Sequence, residues 1–218
     1  MDAALRELDG QIDLATQRLL DDARILTEAD LRVPSLLPGW TRAHVLAHVG
    51  RVADAMRNLL VGVRSGQERA ANASARAPEA DSERDAMMSA ADLVTYLADS
   101  AMALRTVGRQ LPDEAWQVPV RVADLTPFPA AELLTRRLTE VELHHCDLGT
   151  GYGPANWLPA FAAMPLAEPM RAQRQDRLSY LQPEPATART SPVRPPAPYR
   201  PGQRLPGSWI GQGAGRPT

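Results

Sequence analysis

Apolar residues recur every three or four positions along several long segments of the chain. In residues 2–27 these positions are Leu5, Leu8, Ile12, Ala15, Leu19 and Leu20. The same spacing follows Thr41, a residue type suited to cap a helix, and continues to about Ser65. Because residues three and four apart share one face of an α-helix, both segments are predicted to be amphipathic helices.

Two further segments show the same period. One begins at Ser82 or Ser89, each suited to an N-cap, and ends near Leu111, just ahead of a proline. The other begins near Pro129 and stops before Gly149, residue types that favour the first turn and the C-terminal end of a helix, respectively. Four long helices predict an all-α fold, a four-helix bundle.

The pattern changes after about residue 165. Residues 166–218 hold ten prolines, and apolar residues become sparse after Leu181. A segment of this composition buries too little apolar surface to offset the entropy that it loses on ordering. We therefore divide the chain into a helical bundle, residues 1–160, and a low-complexity Pro/Arg-rich tail, residues 161–218, in which we expect disorder from about residue 166.

Charge and cysteine content narrow the classes of function. All 24 basic residues are arginine, and residues 1–165 carry 16 of them against 23 acidic residues, so the bundle is not expected to bind nucleic acid. No uncharged run suits a membrane span, and the acidic N-terminal segment is unlike a signal peptide, so a cytoplasmic protein is expected. The single cysteine, Cys146, excludes an internal disulfide and a zinc ribbon.

The four histidines fall in two adjacent pairs that are far apart in the sequence. Glu140 and His144 are four residues apart on one predicted helix, so their side chains share a face; His44 and His48 have the same relation on another. Two histidines and a glutamate form a known catalytic zinc site, and bundle cores build metal sites from facing helices. We select His48 because it lies among apolar neighbours, whereas His44 lies in the first turn. His145 is rotated by about 100° from His144 and is expected at the surface or behind a ligand.

Each of these features also has a structural interpretation. A Glu and a His four residues apart often form only a solvated face or an ion pair. Asp147 could orient His144 from behind, or pair with Arg137 or face solvent. Cys146 is predicted to be a packed small residue. Nearby arginines could meet substrate carboxylates or form structural ion pairs, and none is assigned a catalytic role; they are Arg51, Arg136 and Arg137.

Two stretches of the sequence together resemble one known family. They are LLPGWTRAHVLAHVGRVADAM, residues 36–56, and RRLTEVELHHCDLGTGY, residues 136–152. Both are similar to the mycothiol-dependent maleylpyruvate isomerase family, whose N-terminal domain is a DinB-like metal-binding helical bundle, and the resemblance covers about residues 1–160. It implies a divalent metal, usually zinc, held by His48, Glu140 and His144, with mycothiol as the thiol cofactor.

The resemblance also implies a reaction and leaves alternatives open. A metal-activated thiolate would add to the cis double bond of maleylpyruvate, leaving a single bond free to rotate before elimination. The partners would then be a small thiol and a small electrophilic or unsaturated acid. Family members commonly continue into a mixed α/β domain that residues 166–218 do not resemble. A mycothiol S-transferase on the same DinB-like scaffold, or a non-catalytic metal-binding bundle from a truncated member, therefore remain as alternatives.

Overall fold

The computed structural model describes residues 1–67, 84, 86–122 and 125–180. Helices account for most of these residues, and two two-residue strands form the sheet. In chain order, the elements are α1 (Ala3–Arg24), α2 (Glu28–Leu31), α3 (Arg42–Ser65), α4 (Ala90–Arg109), a 3₁₀ helix (Asp113–Gln117), β1 (Pro119–Val120), β2 (Phe128–Pro129), α5 (Glu132–Asp147), a second 3₁₀ helix (Pro154–Asn156), α6 (Pro159–Ala163) and α7 (Met170–Tyr180).

Helix caps agree with the starts predicted from the sequence. Ser89 accepts a hydrogen bond from the backbone N–H of Asp92 at the start of α4. At the start of α3, the backbone N–H of Thr41 donates to Nδ1 of His44 at 3.2 Å. That bond ties the His44 side chain to the N-terminus of α3. At its other end α3 stops at Gly66, whose φ of 65° suits a residue without a Cβ.

The four long helices pack as a bundle in which α3 contacts both α4 and α5, and α1 contacts the same two helices. Apolar side chains from all four fill its core, and those with no measurable exposure include Leu19, Val45, Leu46, Leu97 and Leu138. A second apolar cluster surrounds Trp116, which is fully buried between α3, α4 and the start of α5. The prediction of an all-α bundle is confirmed.

The fourth long helix begins slightly later than expected. Pro129 was the predicted start, but α5 begins at Glu132. Phe128 and Pro129 instead pair with Val120 and Pro119 in an antiparallel two-residue ladder. The Phe128 ring is buried there, which holds this segment extended until the helix starts.

The expectation of disorder from about residue 166 is wrong for residues 170–180. These residues form α7, which packs against α5. Met170 and the α6 residue Phe161 are buried in the core, and Arg177 is buried beside Asp147. Residues 181–218, which hold nine of the ten prolines of the expected tail, lie outside the described residues. The boundary proposed at residue 160 stays a prediction.

Within the part of the chain that the structure describes, no helix has both the length and the apolar character needed to cross a bilayer.

Candidate metal centre

His48 on α3 and Glu140 and His144 on α5 converge in the interior of the bundle. One potential ligand atom from each of the three lies within 4.8 Å of the others. Oε2 of Glu140 is 3.5 Å from Nε2 of His48 and 3.1 Å from Nε2 of His144. The residues are 8%, 3% and 3% exposed, respectively. The structure thus brings together the three residues selected from the sequence.

Two polar atoms of this cluster are buried without a hydrogen bond of normal geometry to any described residue. They are Nε2 of His48 and Oε2 of Glu140, and the nearest partner of that Oε2 is Nε2 of His144 in an ion pair at 3.1 Å. Buried polar atoms in native proteins are nearly always paired, so this pair of atoms suits a ligand that binds both. Two imidazoles and one carboxylate are a donor set that zinc uses, with a further position left for a small molecule. The residues present therefore fit a divalent metal ion.

Burial and mutual contact shift the pKa values of all three residues. Burial alone would raise the pKa of Glu140, but interaction with His144 and His48 outweighs it and lowers that pKa to about 2. Burial likewise opposes the charged form of His144, yet Asp147 and Glu140 raise its pKa to about 9. For His48 burial dominates and the pKa falls. The cluster without metal thus holds an ion pair and a neutral imidazole at neutral pH.

Asp147 orients His144 from the side opposite the cluster. Its Oδ2 lies 2.9 Å from Nδ1 of His144. Contact with the His144 ring and Arg177 overcomes the effect of burial and keeps the pKa of Asp147 low. Because an ionised carboxylate only accepts hydrogen bonds, Nδ1 keeps a proton in both charge states of His144, and Nε2, which faces Glu140, is the nitrogen that can lose its proton to bind a metal. Of the interpretations left open for Asp147, the orienting one agrees with the structure.

Arg177 contacts both oxygens of the same carboxylate and was not singled out from the sequence. Its Nε donates to Oδ1 of Asp147 at 3.1 Å and its Nη2 to Oδ2 at 2.7 Å. Both side chains are buried. No sequence signal pointed to Arg177, because it lies in a segment rich in proline and arginine that was expected to be disordered.

Other side chains enclose the site. The ring of Trp40 lies 5.3 Å from that of His48, centroid to centroid. Arg137 is 1% exposed and donates from Nη1 to the backbone carbonyl of Val49 at 2.8 Å, and burial lowers its pKa to about 10. Arg136 pairs with Glu132 within α5 and lies over the ring of Phe128 in β2. Arg137 thus joins α5 to α3, and Arg136 packs on the segment that leads into α5.

His145 and Cys146 face away from the cluster. Nε2 of His145 is 2.8 Å from Oδ2 of Asp22 on α1, and its ring stacks on Tyr152 with centroids 3.6 Å apart. His145 is buried, so a surface position is wrong; it joins α5 to α1. The thiol of Cys146 is buried, accepts a hydrogen bond from Trp157, and has its pKa raised to about 12 by burial, which agrees with a packed residue.

Comparison with known proteins adds a family. The model of the mycothiol maleylpyruvate isomerase N-terminal domain matches residues 12–149. Two solved structures are similar, that of a mycothiol-dependent maleylpyruvate isomerase and that of a histidine-to-alanine mutant of such an enzyme. Each shares 27% identity with this chain, superposes with a TM-score of 0.68, and covers 72% of this chain.

The region that matches this chain makes up only 65% of the length of those enzymes. No protein of curated function matches the chain. The family match nevertheless spans more than half of the sequence and contains His48, Glu140 and His144. The protein therefore belongs to the mycothiol maleylpyruvate isomerase N-terminal domain family.

Proposed function

We propose that His48, Glu140 and His144 bind a divalent metal ion, with zinc the best fit, and that the site uses mycothiol to isomerise maleylpyruvate or a related unsaturated acid. The observation that carries the proposal is the convergence of three buried ligand atoms within 4.8 Å of one another. The family of the chain, and the mycothiol-dependent maleylpyruvate isomerase among the similar solved structures, support the choice of thiol and reaction.

The metal would supply thiol activation: a coordinated thiol loses its proton readily, and the thiolate is the nucleophile that adds to an activated double bond. The chain's own residues prepare the site. His48, Glu140 and His144 are already in place on rigid helices, and Asp147 fixes the tautomer of His144. Burial of the cluster limits access of bulk water.

Nearby charges favour anionic ligands. The buried carboxylates of Glu140 and Asp147 are matched by the buried guanidinium groups of Arg137 and Arg177. These two carboxylates and two guanidinium groups cancel each other's charge. If the histidine ligands are neutral, a bound divalent cation would therefore leave the site with a net positive charge. A thiolate and a carboxylate substrate both carry the negative charge that such a site attracts. We further expect a cytoplasmic protein whose partners are small molecules.

Metal content tests the binding proposal. The purified protein is expected to carry one divalent ion per chain, whereas His48→Ala and Glu140→Ala should lose it, as measured by inductively coupled plasma mass spectrometry. His44→Ala is the matched control, because its Nδ1 contacts the backbone of Thr41 and it lies outside the cluster. Circular dichroism establishes that the variants stay helical. A wild-type protein without metal, or cluster variants that retain it, would refute the assignment.

Turnover assays test the reaction. With mycothiol and zinc, conversion of maleylpyruvate to fumarylpyruvate is expected and should disappear in His48→Ala. An S-transferase is the second candidate, because it needs the same metal-activated thiolate but not the elimination that completes isomerisation. Conjugation of mycothiol to a model electrophile without isomerisation would identify that activity. Stoichiometric metal with neither activity would indicate a binding bundle.

A further inference from the structure

We infer that Arg177 on α7 is a positioning residue of the proposed metal centre, which acts through Asp147 to fix His144. The inference rests on the proposed metal binding by His48, Glu140 and His144. This role of Arg177 makes α7 part of the site, although the helix lies beyond residue 149, where the match to the family ends.

The contacts form a continuous chain from α7 to the cluster. Arg177 holds Asp147 with two nitrogens, at 3.1 Å and 2.7 Å, and Asp147 holds Nδ1 of His144 at 2.9 Å. Nε2 of His144 then lies 3.1 Å from Oε2 of Glu140. The exposed fractions of Arg177, Asp147 and His144 are 4%, 0% and 3%, so every link is shielded from water.

The geometry of the guanidinium explains why an arginine suits this position. Its planar fork meets both oxygens of a carboxylate and so fixes the plane of that carboxylate. One of those oxygens, Oδ2, is also the acceptor for His144. Without the fork, Asp147 could rotate away from the imidazole. A lysine could supply a charge but only a single point of contact.

The remainder of α7 is anchored separately. Met170 is 2% exposed within the apolar core, and Arg174 donates from Nη1 to the backbone carbonyl of Phe161 at 2.7 Å. Arg174 therefore helps to dock the helix, and no described contact joins it to Asp147. This difference allows a role in docking to be separated from a role in orienting His144.

Zinc affinity provides the main test, measured on the full chain by competition with a chromophoric chelator. Arg177→Met is expected to bind zinc roughly tenfold more weakly, the loss typical when a residue that supports a metal ligand is removed. Arg177→Lys should recover part of that loss. Arg174→Met is the matched control and should bind nearly as tightly as the wild type. Equal losses in Arg174→Met and Arg177→Met would overturn the inference, since docking alone would then explain both.

Cobalt provides a readout of ligand geometry. The visible absorption bands of the Co²⁺-loaded protein should shift in Arg177→Met and stay unchanged in Arg174→Met. If Arg177→Met does not fold, Arg177→Lys replaces it, with a smaller shift and a severalfold loss expected. Wild-type affinity and an unchanged spectrum in the Arg177 variant would contradict the positioning role.

Reciprocity gives a third measurement on the unmodified protein. If α7 strengthens zinc binding, zinc must stabilise the docked position of α7 by the same free energy. Hydrogen exchange in residues 170–180 should therefore slow when zinc is added, and unchanged exchange there would contradict the inference. Failure of the wild type to bind zinc at all would instead refute the proposed function, so the two failures are distinguishable.

Discussion

At the scale of single residues, the cluster of His48, Glu140 and His144 is a set of titratable groups that shift one another's pKa values. The pKa of Glu140 is lowered to about 2 and that of His144 raised to about 9, while the pKa of His48 falls below its usual value. At pH 7 without metal, Glu140 is therefore ionised, His144 is protonated and His48 is neutral. Of the three proposed ligands, only His144 must lose a proton before its Nε2 can coordinate.

We predict that zinc binding at pH 7 releases about one proton per chain, because the pKa of His144 in the metal-free protein is about 9. Release should fall as the pH rises through that value, and zinc affinity should increase with pH up to it. Calorimetric titration in buffers of different ionisation enthalpy measures the protons released. A binding enthalpy that is independent of buffer at pH 7 would show that His144 is already neutral.

At the scale of helices, α3 packs tightly against α4 at Gly50. A Cβ added at Gly50 would lie 2.7 Å from the ring of Tyr96, whose hydroxyl donates to Asp54 on α3 at 3.0 Å. Because that hydrogen bond holds the ring, the side chain cannot move aside without loss. Gly10 on α1 offers the contrast, since nothing lies within 4 Å of its added Cβ.

Gly50→Ala is expected to lower the free energy of unfolding by about 1–3 kcal/mol through overpacking. Gly10→Ala should raise it by about 0.5–1 kcal/mol, because alanine is favoured over glycine inside a helix. Urea denaturation of both variants measures the difference. If the Gly50→Ala protein were as stable as the Gly10→Ala protein, α3 and α4 would have to accommodate the added methyl group without a loss of stability.

The helices show how far periodicity and caps predict this fold. Residue type alone indicated Thr41 as one N-cap and either Ser82 or Ser89 as another, and Thr41 and Ser89 are the N-caps in the structure. The start of α5 was placed too early, because a proline suits a strand edge as well as a first turn. Helix α7 was missed since its surroundings are rich in proline. A few buried residues such as Met170 and Arg177 outweigh that average composition.

The candidate site, too, could be predicted from the sequence only in part. His48, Glu140 and His144 could be selected because a spacing of four on a helix fixes a common face. The role of Asp147 could not be decided, since a spacing of three is compatible with several partners. Its second partner, Arg177, is thirty residues away, and local sequence carries no information about such a contact.

At the scale of the whole molecule, the proposed centre joins distant parts of the chain. His48 comes from α3, two ligands come from α5, and Arg177 comes from α7. Each helix is positioned by its own apolar face in the bundle core. Metal binding should therefore report on the assembly of the entire bundle, and any metal bound only by the folded state stabilises it by mass action.

Two truncations test this dependence on the C-terminal helix. A chain ending at residue 180 keeps α7 and every contact described for the site, so its zinc affinity and melting temperature should match those of the full chain. A chain ending at residue 164 loses Arg177 and uncovers Phe161 and its neighbours. It should melt at a lower temperature, since buried apolar surface becomes exposed, and bind zinc at least tenfold more weakly.

Calorimetric melting with and without zinc measures both effects, because zinc at about 100 times its dissociation constant should add about 2.7 kcal/mol of stability. That increment should appear in the chain ending at residue 180 and shrink in the chain ending at residue 164 at the same zinc concentration. If the chain ending at residue 180 also lost the increment, residues 181–218 would have to support the metal. If the chain ending at residue 164 retained it in full, α7 would have no part in binding, and His144 would be held by Asp147 alone.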